Sequence, residues 1–448
     1  MSPKRFNLIL NNKISAFKRK IDVDPDKSIS IRSFIIGSIS NNISSVKNVL
    51  ESEDVLSAIR CLKQLGVKIV KKKTRNYLIY GKGLGSLFAK KNTKMNFGNS
   101  GTLARLLIGV LSSTPGIEIK IHGDHSLNKR NMKKLFTLMS KFGAFFLPKN
   151  KFKFPIKMIS SNLPIGIKYE AGVSAQLKSA VILAGLNSYG ETQIIEKEKS
   201  RDHTENMLLN NFQTIKIKKK NKKLIKIYGK KYLNLINTKV PGDPSSAAFF
   251  SALTLLNKNS SIIIKNVGLN PTRTGFYKIL KKIGAKISFT NLKKENNELR
   301  GDINVKSCKL KPIKASKEYY VSATDEYPIL FVIAALTKGI SVFKGIGDLA
   351  NKESNRILEM QKILSQIGVK STSGNNELKI YGKGLFDAKN KKITVKNLGD
   401  HRICMSSFIL GILTGAKTKI KNFETVFTSS PSFLIIMKSL GAKFEIQK

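Results

Sequence analysis

Arginine is scarce in this chain, and it clusters in short turns that precede apolar helical patterns. Only 12 of the 80 Lys and Arg residues are arginine. Seven of the twelve lie in turns of this kind: Arg32, Arg105, Arg130, Arg201, Arg273, Arg356 and Arg402. A guanidinium offers a rigid fork of donors that matches carboxylate or phosphate, and the N–H groups of a helix start also attract anions. This placement indicates a site for a small, multiply anionic ligand.

Three turns that precede apolar helical patterns carry side chains that could transfer a proton. DKSISIR contains Lys27, ATDEYPIL contains Asp325, and KESNR contains Glu353. Taken singly, each turn is more often structural, because Pro25 suits a first helical turn and acids there complement the helix dipole. The turns considered together, and no single turn, therefore indicate chemistry.

Composition bounds the class of protein. The chain has 448 residues, 41% of them apolar, and a formal net charge of +51, which is enough chain for more than one globular domain. Its lysines are spread along the whole sequence, whereas a nucleic-acid-binding protein more often has a concentrated basic stripe with aromatic platforms. Trp is absent. No apolar run approaches the ~20 residues of a membrane span, and three scattered cysteines favour a reducing compartment. We expect a soluble, cytoplasmic protein with neither nucleic acid nor membrane as partner.

A short phrase recurs along the chain. It consists of an apolar helical end, a glycine, and then an apolar strand pattern, and it is centred on Gly66, Gly143, Gly284, Gly368 and Gly441. A degenerate copy begins at Met207, so six units of roughly 75 residues cover the chain. A glycine that ends a helix before a strand predicts mixed α/β units. Six such units are compatible with a ring, a solenoid, or two domains of three units each.

Nine motifs in order connect this chain to a known family. They are DKSISIR, GNSGT, SAQLKSA, SRDHTE, PGDPSSAA, NPTRTG, DEYP, KESNR and DHR. Together they resemble the enolpyruvyl transferase family across nearly the full length. The resemblance implies an α/β (α+β) fold of two similar domains, each with three βαβαββ units in an inside-out arrangement, and an active site in the cleft between the domains. It also implies that the N-terminal strand pairs with the C-terminal half, giving domains 1–24 plus 241–448 and 25–240.

The resemblance also implies a reaction. The enolpyruvyl group of phosphoenolpyruvate would pass to the 5-hydroxyl of shikimate 3-phosphate, with release of phosphate from a tetrahedral ketal, as a transferase step of the shikimate pathway toward chorismate and aromatic amino acids. Asp325 is the expected base for the hydroxyl, Glu353 the group that transfers a proton at C3, and Lys27 a third catalytic residue. No metal or organic cofactor is expected, and the chain is expected to be a monomer.

Binding roles follow from the same motifs. The residues expected to bind shikimate 3-phosphate are Lys27, Ser28, Arg32, Ser174, Ala175, Gln176, Arg201, Asp325 and Lys352. Those expected to bind phosphoenolpyruvate are Lys27, Asn99, Gly101, Arg130, Gln176, Arg356 and Arg402. Because Gly101 has no Cβ, it leaves space beside this second group, and we expect inhibition by glyphosate, the competitive inhibitor known for the family.

Some positions depart from the family pattern, and three other functions find little support in the residues. Asn355 stands where Asp is usual, and Thr428 and Ser429 stand where part of the family has a Lys. A sister activity on UDP-N-acetylglucosamine is disfavoured because no Cys lies between His122 and Arg130. A nucleic-acid-binding protein has only the net charge in its favour. A catalytically inactive scaffold would have lost the catalytic residues or the arginines, and all of them are present.

Overall fold

The computed structural model describes residues 5–219 and 222–447. The strands are β1 (Asn7–Leu10), β2 (Lys18–Asp22), β3 (Ile43–Lys47), β4 (Lys68–Lys73), β5 (Asn76–Tyr80), β6 (Thr93–Asn96), β7 (Glu118–His122), β8 (Phe145–Leu147), β9 (Ile156–Ile159), β10 (Lys168–Ala171), β11 (Glu191–Glu196), β12 (Ile215–Lys219), β13 (Lys223–Tyr228), β14 (Asn237–Lys239), β15 (Ser261–Gly268), β16 (Lys286–Glu295), β17 (Glu298–Lys306), β18 (Lys314–Ala315), β19 (Gly339–Lys344), β20 (Ser371–Gly374), β21 (Glu377–Gly382), β22 (Lys392–Val395), β23 (Lys417–Ile420) and β24 (Glu445–Gln447).

The helices complete the repeating pattern. They are α1 (Lys27–Ile39), α2 (Glu53–Gln64), α3 (Gly101–Ser112), α4 (His125–Lys129), α5 (Lys133–Ser140), α6 (Ala175–Leu186), α7 (His203–Leu208), α8 (Pro244–Leu256), α9 (Gly275–Lys282), α10 (Tyr320–Ala323), α11 (Tyr327–Ala335), α12 (Arg356–Gln366), α13 (His401–Thr414) and α14 (Phe433–Ser439), with 3₁₀ turns at Lys317–Tyr319, Gly347–Asn351 and Phe423–Thr428. In the described ranges, no helix combines the length and the apolar character needed to cross a membrane.

Six four-stranded sheets of one design occur in the described residues. In the sheet ordered β6-β7-β9-β8, β6 is parallel to β7, while β9 is antiparallel to both β7 and β8. In chain order this sheet reads strand, helix, strand, a helical segment made of α4 and α5, strand, strand. The sheet ordered β10-β11-β13-β12 repeats the pattern with the single helix α7 in that place. The predicted βαβαββ unit is therefore confirmed.

Strands from distant parts of the chain complete three of the sheets. β1 lies between β23 and β24 and is antiparallel to both, with Leu8 opposite Ile420. β2 runs parallel to β15, with Lys18 opposite Ser261. The predicted pairing of the N-terminal strand with the C-terminal half is thus observed. β14 similarly returns to pair in parallel with β3.

The chain forms two compact units. Unit 1 comprises residues 5–24, 241–294 and 299–447, and unit 2 comprises residues 25–240 together with Glu295–Glu298. Each unit has its own apolar core. In unit 2 the three sheets contain β3 to β14, and in unit 1 they contain β1, β2 and β15 to β24.

Two kinds of helix build each unit. Every residue of α8 and of α13 is buried, and α1 is buried from Ile29 to its end, because helices that are apolar on all sides have no face for water. By contrast, α2 buries mainly one face, including Val55, Ile59 and Leu62. Fully buried helices inside and sheets around them give the inside-out arrangement that the motifs implied.

The recurring glycines end helices as predicted. Gly66, Gly143, Gly284, Gly368 and Gly441 all have positive φ, between 77° and 97°, a region that glycine enters without steric cost. Each reverses the chain after a helix so that a strand follows within a few residues. The degenerate sixth copy also keeps the helix–strand order, with α7 followed by β12, without such a glycine.

Candidate active site

Three helix starts in unit 2 hold most of the predicted binding residues. Asp26, Ser100 and Ser174 are the N-caps of α1, α3 and α6, and each side chain accepts a hydrogen bond from an N–H of the first turn, at 2.8, 3.2 and 3.4 Å. Such caps fix where a helix begins. The helices consequently begin at the predicted residues Lys27, Gly101 and Ala175.

Lys27 is held by an acid that the motifs did not identify. Its ammonium lies 2.9 Å from Oδ2 of Asp54, a carboxylate that is nearly buried on α2. The Lys27 side chain is itself only 19% exposed, so this contact holds a lysine in one orientation at the start of α1. Ser28 is the next residue of the same turn.

Arg32 is a buried arginine joined to three elements. Its Nη1 donates to the carbonyl of Ser28 at 3.1 Å, one turn back on α1. Its Nε donates to Oγ1 of Thr204 on α7 at 2.9 Å, and its Nη2 to Oγ of Ser179 on α6 at 3.3 Å. Arg32 is thereby placed against α6, which begins within the motif SAQLKSA, and against α7, which begins two residues after Arg201.

The predicted phosphoenolpyruvate residues of unit 2 lie together. Arg130, which follows α4, donates through Nη2 to Oδ1 of Asn99 at 2.8 Å. A Cβ placed on Gly101 would lie 2.8 Å from Nη1 of Arg130 and 2.9 Å from Nη1 of Arg105, so the glycine leaves room for two guanidinium groups. Two arginines at the start of α3 make this corner strongly attractive for an anion.

Gln176 joins this corner to α6. Its amide Nε2 donates to Oγ1 of Thr102, in the first turn of α3, at 3.0 Å. Further along, α3 and α6 approach closely because Gly109 faces Ala180, and a Cβ at Gly109 would lie 2.6 Å from the Ala180 carbonyl oxygen. The close crossing keeps the starts of α3 and α6 side by side, as the shared role predicted for Gln176 requires.

Arg356 organises the predicted catalytic acids of unit 1. Its Nη2 lies 2.7 Å from Oε2 of Glu353, and its Nη1 lies 3.8 Å from Oδ1 of Asp325. Its Nε lies 2.9 Å from Oδ2 of Asp400. Burial alone would lower the pKa of Arg356, but Asp400, Glu353 and Asp325 together raise it well above its ordinary value. The guanidinium is therefore a permanent positive charge between three carboxylates.

The three carboxylates differ in exposure. Asp400 is fully buried, whereas about a quarter of the Asp325 and Glu353 side chains is exposed. Asp400 also accepts from Ser354 Oγ at 3.0 Å and from the N–H of Arg402 at 3.0 Å, so its oxygens are occupied by structural partners. Asp325 and Glu353, by contrast, keep part of their side chains open to solvent.

Arg402 is a buried arginine in the first turn of α13. In the described part of the chain, neither Nε nor Nη1 of Arg402 has a hydrogen-bond partner, although both are buried. The guanidinium carbon lies 6.0 Å from the ring centre of Phe249. Unsatisfied buried donors are costly, so this arginine is suited to receive an anion.

Two predicted positions show local roles. The Lys352 ammonium lies 2.5 Å from Oδ2 of Asp348, which also accepts from the hydroxyl of Tyr320. Asn355, the departure from the family pattern, caps α12 by accepting from the N–H of Leu358 at 3.1 Å. Burial and the neighbouring Asp348 raise the pKa of Tyr320 well above its ordinary value, so that phenol stays protonated.

The structure thus brings the predicted residues into two groups and adds some that the sequence analysis did not name. Lys27, Ser28, Arg32, Asn99, Gly101, Arg130, Ser174, Ala175, Gln176 and Arg201 belong to unit 2, and Asp325, Lys352, Glu353, Arg356 and Arg402 belong to unit 1. The additions are Asp54, Thr102 and Asp400. Asp400 and Thr102 had a signal, because they stand in the quoted motifs DHR and GNSGT. Asp54 lies outside the quoted motifs and had none.

Solved structures show the class of fold. The EPSP synthase from Acinetobacter baumannii aligns with a TM-score of 0.85 and 34% identity, over 99% of this chain and 100% of that chain. The enolpyruvyl transferase NikO from Streptomyces tendae aligns with a TM-score of 0.74 over 99% and 98% of the two chains, at 11% identity, which shows the fold alone. The fold is that of the enolpyruvyl transferases.

Sequence comparison defines the family within this class. The family model of EPSP synthase (3-phosphoshikimate 1-carboxyvinyltransferase) matches residues 11–437. The 3-phosphoshikimate 1-carboxyvinyltransferase of Zymomonas mobilis is 37% identical over 98% of this chain and 97% of its own length, and that of Thermodesulfovibrio yellowstonii is 38% identical over 96% and 98%. The chain belongs to the EPSP synthase family. It is a transferase of aromatic amino-acid biosynthesis by the shikimate pathway.

Proposed function

We propose how the residues of this chain divide the work of its reaction, the transfer of the enolpyruvyl group of phosphoenolpyruvate to the 5-hydroxyl of shikimate 3-phosphate with release of phosphate. The observation that carries the proposal is the pairing of two partly exposed carboxylates, Asp325 and Glu353, with one buried guanidinium, that of Arg356. The addition step needs one group that takes a proton and one that gives a proton. This pair supplies both.

In the addition step, Asp325 accepts the proton of the 5-hydroxyl as the oxygen forms a bond to C2 of phosphoenolpyruvate. The electrons of the C2–C3 double bond take a proton from Glu353, so that C3 becomes a methyl group and C2 a tetrahedral ketal carbon. In the elimination step, Glu353 takes a proton back from that methyl group, the double bond re-forms, and the bond from C2 to the phosphate oxygen breaks. The proton that Asp325 accepted passes to the departing phosphate, so that Asp325 is again a carboxylate.

Arg356 controls when Glu353 can act as an acid. In this structure its Nη2 is 2.7 Å from Glu353, and a neighbouring positive charge favours the ionised carboxylate. An anionic group of phosphoenolpyruvate that binds Arg356 would compete for the guanidinium. Glu353 would then lose part of that stabilisation and more readily carry the proton that C3 requires.

The binding residues act as preorganised donors. We propose that Ser28, Arg32, Ser174, Ala175, Gln176, Arg201 and Lys352 hold shikimate 3-phosphate, and that Asn99, Gly101, Arg130, Gln176, Arg356 and Arg402 hold phosphoenolpyruvate. Lys27 contacts both substrates and stabilises negative charge. Support comes from the helix starts and fixed guanidinium groups, which favour charge that develops during reaction because they need little rearrangement.

Phosphate release tests the proposal. We would supply phosphoenolpyruvate with shikimate 3-phosphate, and in parallel with UDP-N-acetylglucosamine, to the natural chain and to Glu353→Gln and Asp325→Asn. General acid–base groups contribute about 10²- to 10⁴-fold, so each variant should lose at least about a hundredfold of the release that depends on shikimate 3-phosphate. The matched control is Glu359→Gln, an acid on α12 that pairs with Lys362.

The outcomes separate the activity from the residue roles. The expected result is phosphate release when shikimate 3-phosphate is the acceptor and none when UDP-N-acetylglucosamine is. This release should be lost in both variants and kept in the control. A Glu353→Gln variant with full release would remove Glu353 from its role while the activity stands. Release only with UDP-N-acetylglucosamine would overturn the acceptor.

The compartment and the assembly complete the proposal. Cys61 and Cys404 are buried free thiols and Cys308 is a free thiol, as is usual for proteins of a reducing compartment. We therefore propose a cytoplasmic location, and we propose separately that the chain is a monomer. A sedimentation measurement at micromolar concentration that gave twice the mass of 49.8 kDa would contradict the monomer.

A further inference from the structure

Four charged side chains in unit 2 form a cluster behind the predicted binding residues. This buried quartet consists of Lys178, Glu196, Glu205 and Lys223. The ammonium of Lys178 lies 2.6 Å from Oε1 of Glu196 and 2.7 Å from Oε1 of Glu205. The ammonium of Lys223 lies 3.2 Å from Oε2 of Glu196 and 3.2 Å from Oε1 of Glu205. Two positive and two negative charges balance in a nearly water-free space.

Burial in the quartet is close to complete. The Lys178 and Glu205 side chains are 0% exposed, Glu196 is 1% exposed, and only Lys223 reaches solvent, at 17%. Burial by itself raises the pKa of Glu196, but Lys178, Ser200 and Lys223 outweigh that effect and lower it to about 2. Glu196 is therefore ionised across the neutral range.

The quartet joins four segments of the chain. Lys178 lies on α6, Glu196 ends β11, Glu205 lies on α7, and Lys223 begins β13. The first three of these elements follow one another along the chain, and β13 comes after β12. Because Lys178 on α6 pairs with Glu205 on α7, the ion pairs fix the relative positions of these two helices.

Two members of the quartet connect directly to predicted substrate-binding residues. The peptide N–H of Lys178 donates to the carbonyl of Ser174 at 3.1 Å. Ser200 donates to Oε1 of Glu196 through its N–H at 2.9 Å and through its hydroxyl at 2.7 Å, and Arg201 is the next residue. The quartet thus holds the turn before α6 and the turn before α7.

A second layer of contacts reaches Arg32. Ser179 comes directly after Lys178 in the chain, and Thr204 comes directly before Glu205. The hydroxyl oxygens of Ser179 and Thr204 lie 2.8 Å apart. Both hydroxyls accept from the guanidinium of Arg32. Any shift of α6 against α7 would therefore move the two acceptors that orient this arginine.

Stability is a poor explanation for such a cluster. Replacing a buried ion pair with apolar residues of similar volume is often neutral or stabilising, because the charges must be taken out of water. What two crossed ion pairs provide is a fixed geometry, since each charge is stable only with its partners in place.

We propose that the buried quartet positions Arg32, Ser174 and Arg201 for the anionic groups of shikimate 3-phosphate. This inference rests on the binding roles proposed above for those three residues. The members of the quartet are positioning residues, which act through the turns that they hold and do not touch the substrate.

Lys223 offers a mild perturbation, because its side chain is partly exposed. Lys223→Met removes one positive charge and leaves two buried carboxylates with one lysine. Because the turns before α6 and α7 would then lose part of their support, we expect the Kd for shikimate 3-phosphate, measured by calorimetry without phosphoenolpyruvate, to rise about tenfold or more. The KM for phosphoenolpyruvate should change far less, and Lys223→Arg should restore the affinity.

Two further variants sharpen the test. Lys226→Met is the matched control, because Lys226 lies on the same strand, β13, and pairs with Glu191 at 3.0 Å; it should leave the Kd unchanged. The pair Lys178→Met with Glu205→Gln removes one charge of each sign, so the cluster stays neutral and its geometry is lost. This double variant should weaken shikimate 3-phosphate binding as Lys223→Met does.

The result that would overturn the inference is a lower thermal stability in the Lys223 and double variants with an unchanged Kd for shikimate 3-phosphate. An equal loss for both substrates would overturn it too, since the quartet would then act on the whole fold. If the double variant fails to fold, the Lys223 substitutions decide alone. An Arg201→Met variant with normal affinity would instead refute the proposed binding role, so the two failures are distinguishable.

Discussion

Asp400→Asn tests how strongly Arg356 depends on its buried partner. In the natural chain, Oδ2 of Asp400 lies 2.9 Å from Nε of Arg356 and accepts from Ser354, while Oδ1 accepts from the N–H of Arg402. An asparagine can keep the oxygen that caps α13. Its NH₂ group would then face Nε of Arg356, donor against donor.

The expected loss follows from the burial of the pair. Removing one partner of a buried ion pair costs roughly 3–5 kcal/mol, because the other charge remains in a poorly solvated place. Glu353 at 2.7 Å and Asp325 at 3.8 Å stay close to the guanidinium of Arg356. We therefore expect the lower end of that range, about 3 kcal/mol. The value for kcat should fall as well, because Arg356 would then orient Glu353 less well.

Denaturant unfolding monitored by circular dichroism gives the free energy of unfolding, and phosphate release gives kcat. Asp387→Asn serves as the control, because Asp387 is a half-exposed acid of unit 1 that pairs with Lys13 at 3.1 Å; exposed pairs contribute about 0–1 kcal/mol. An Asp400→Asn protein as stable as the control variant and with unchanged kcat would refute the reasoning.

Three other perturbations have defined outcomes. Gly101→Ala places a methyl group 2.8 Å from Nη1 of Arg130. In steady-state kinetics the KM for phosphoenolpyruvate should rise, and the inhibition constant for glyphosate should rise more. Equal rises of the two constants would argue against a special role for the space beside Gly101. Thr102→Val removes the hydroxyl that accepts from the Gln176 amide. Because a hydrogen bond contributes about 0.5–1.5 kcal/mol, the KM values for both substrates should rise about two- to tenfold. Unchanged KM values would show that other contacts keep Gln176 in position. The pKa of Glu196 is lowered to about 2, so its contribution to stability is complete above the ordinary pKa of a glutamate and is lost as pH falls toward 2. Glu196→Gln should flatten the acid limb of the stability curve, and an identical limb in both proteins would contradict the ion pairing.

Much of the fold can be predicted from the sequence because it depends on local patterns of residues. A glycine such as Gly66 or Gly284 ends a helix by adopting positive φ, and this property belongs to the residue itself. An apolar pattern such as that of α8 or α13 predicts a helix without a solvent face. Six copies of such signals predict six α/β units without any knowledge of long-range contacts.

The site is visible for a related reason. Caps and first-turn residues are defined by spacing along the chain. Ser174 two residues before Gln176, or Glu353 three residues before Arg356, therefore indicates a helix start with side chains that can bind an anion or transfer a proton. The motifs placed Asp325 and Glu353 in turns of this kind, and the structure brings both to one guanidinium.

Partners far apart in the chain were beyond the reach of the sequence. Asp400 meets Arg356 across 44 residues, and the signal for it, the motif DHR, does not say which arginine the acid will contact. Lys178 forms ion pairs with Glu196 and Glu205. From the sequence alone, the lysine of SAQLKSA would be taken for one more solvated charge in a lysine-rich chain. Ion pairing depends on distance in space, and spacing along the chain does not determine that distance.

The sequence by itself determined the repeating units, the helix starts and the residue types that stand in them, because capping, helix termination and apolar periodicity act within a few residues. Only the tertiary structure decided which charges pair, which are buried and which remain available, as the contrast between fully buried Asp400 and partly exposed Glu353 shows. The reason is that burial and electrostatic interaction depend on everything packed around a group, and most of those neighbours come from distant segments of the chain.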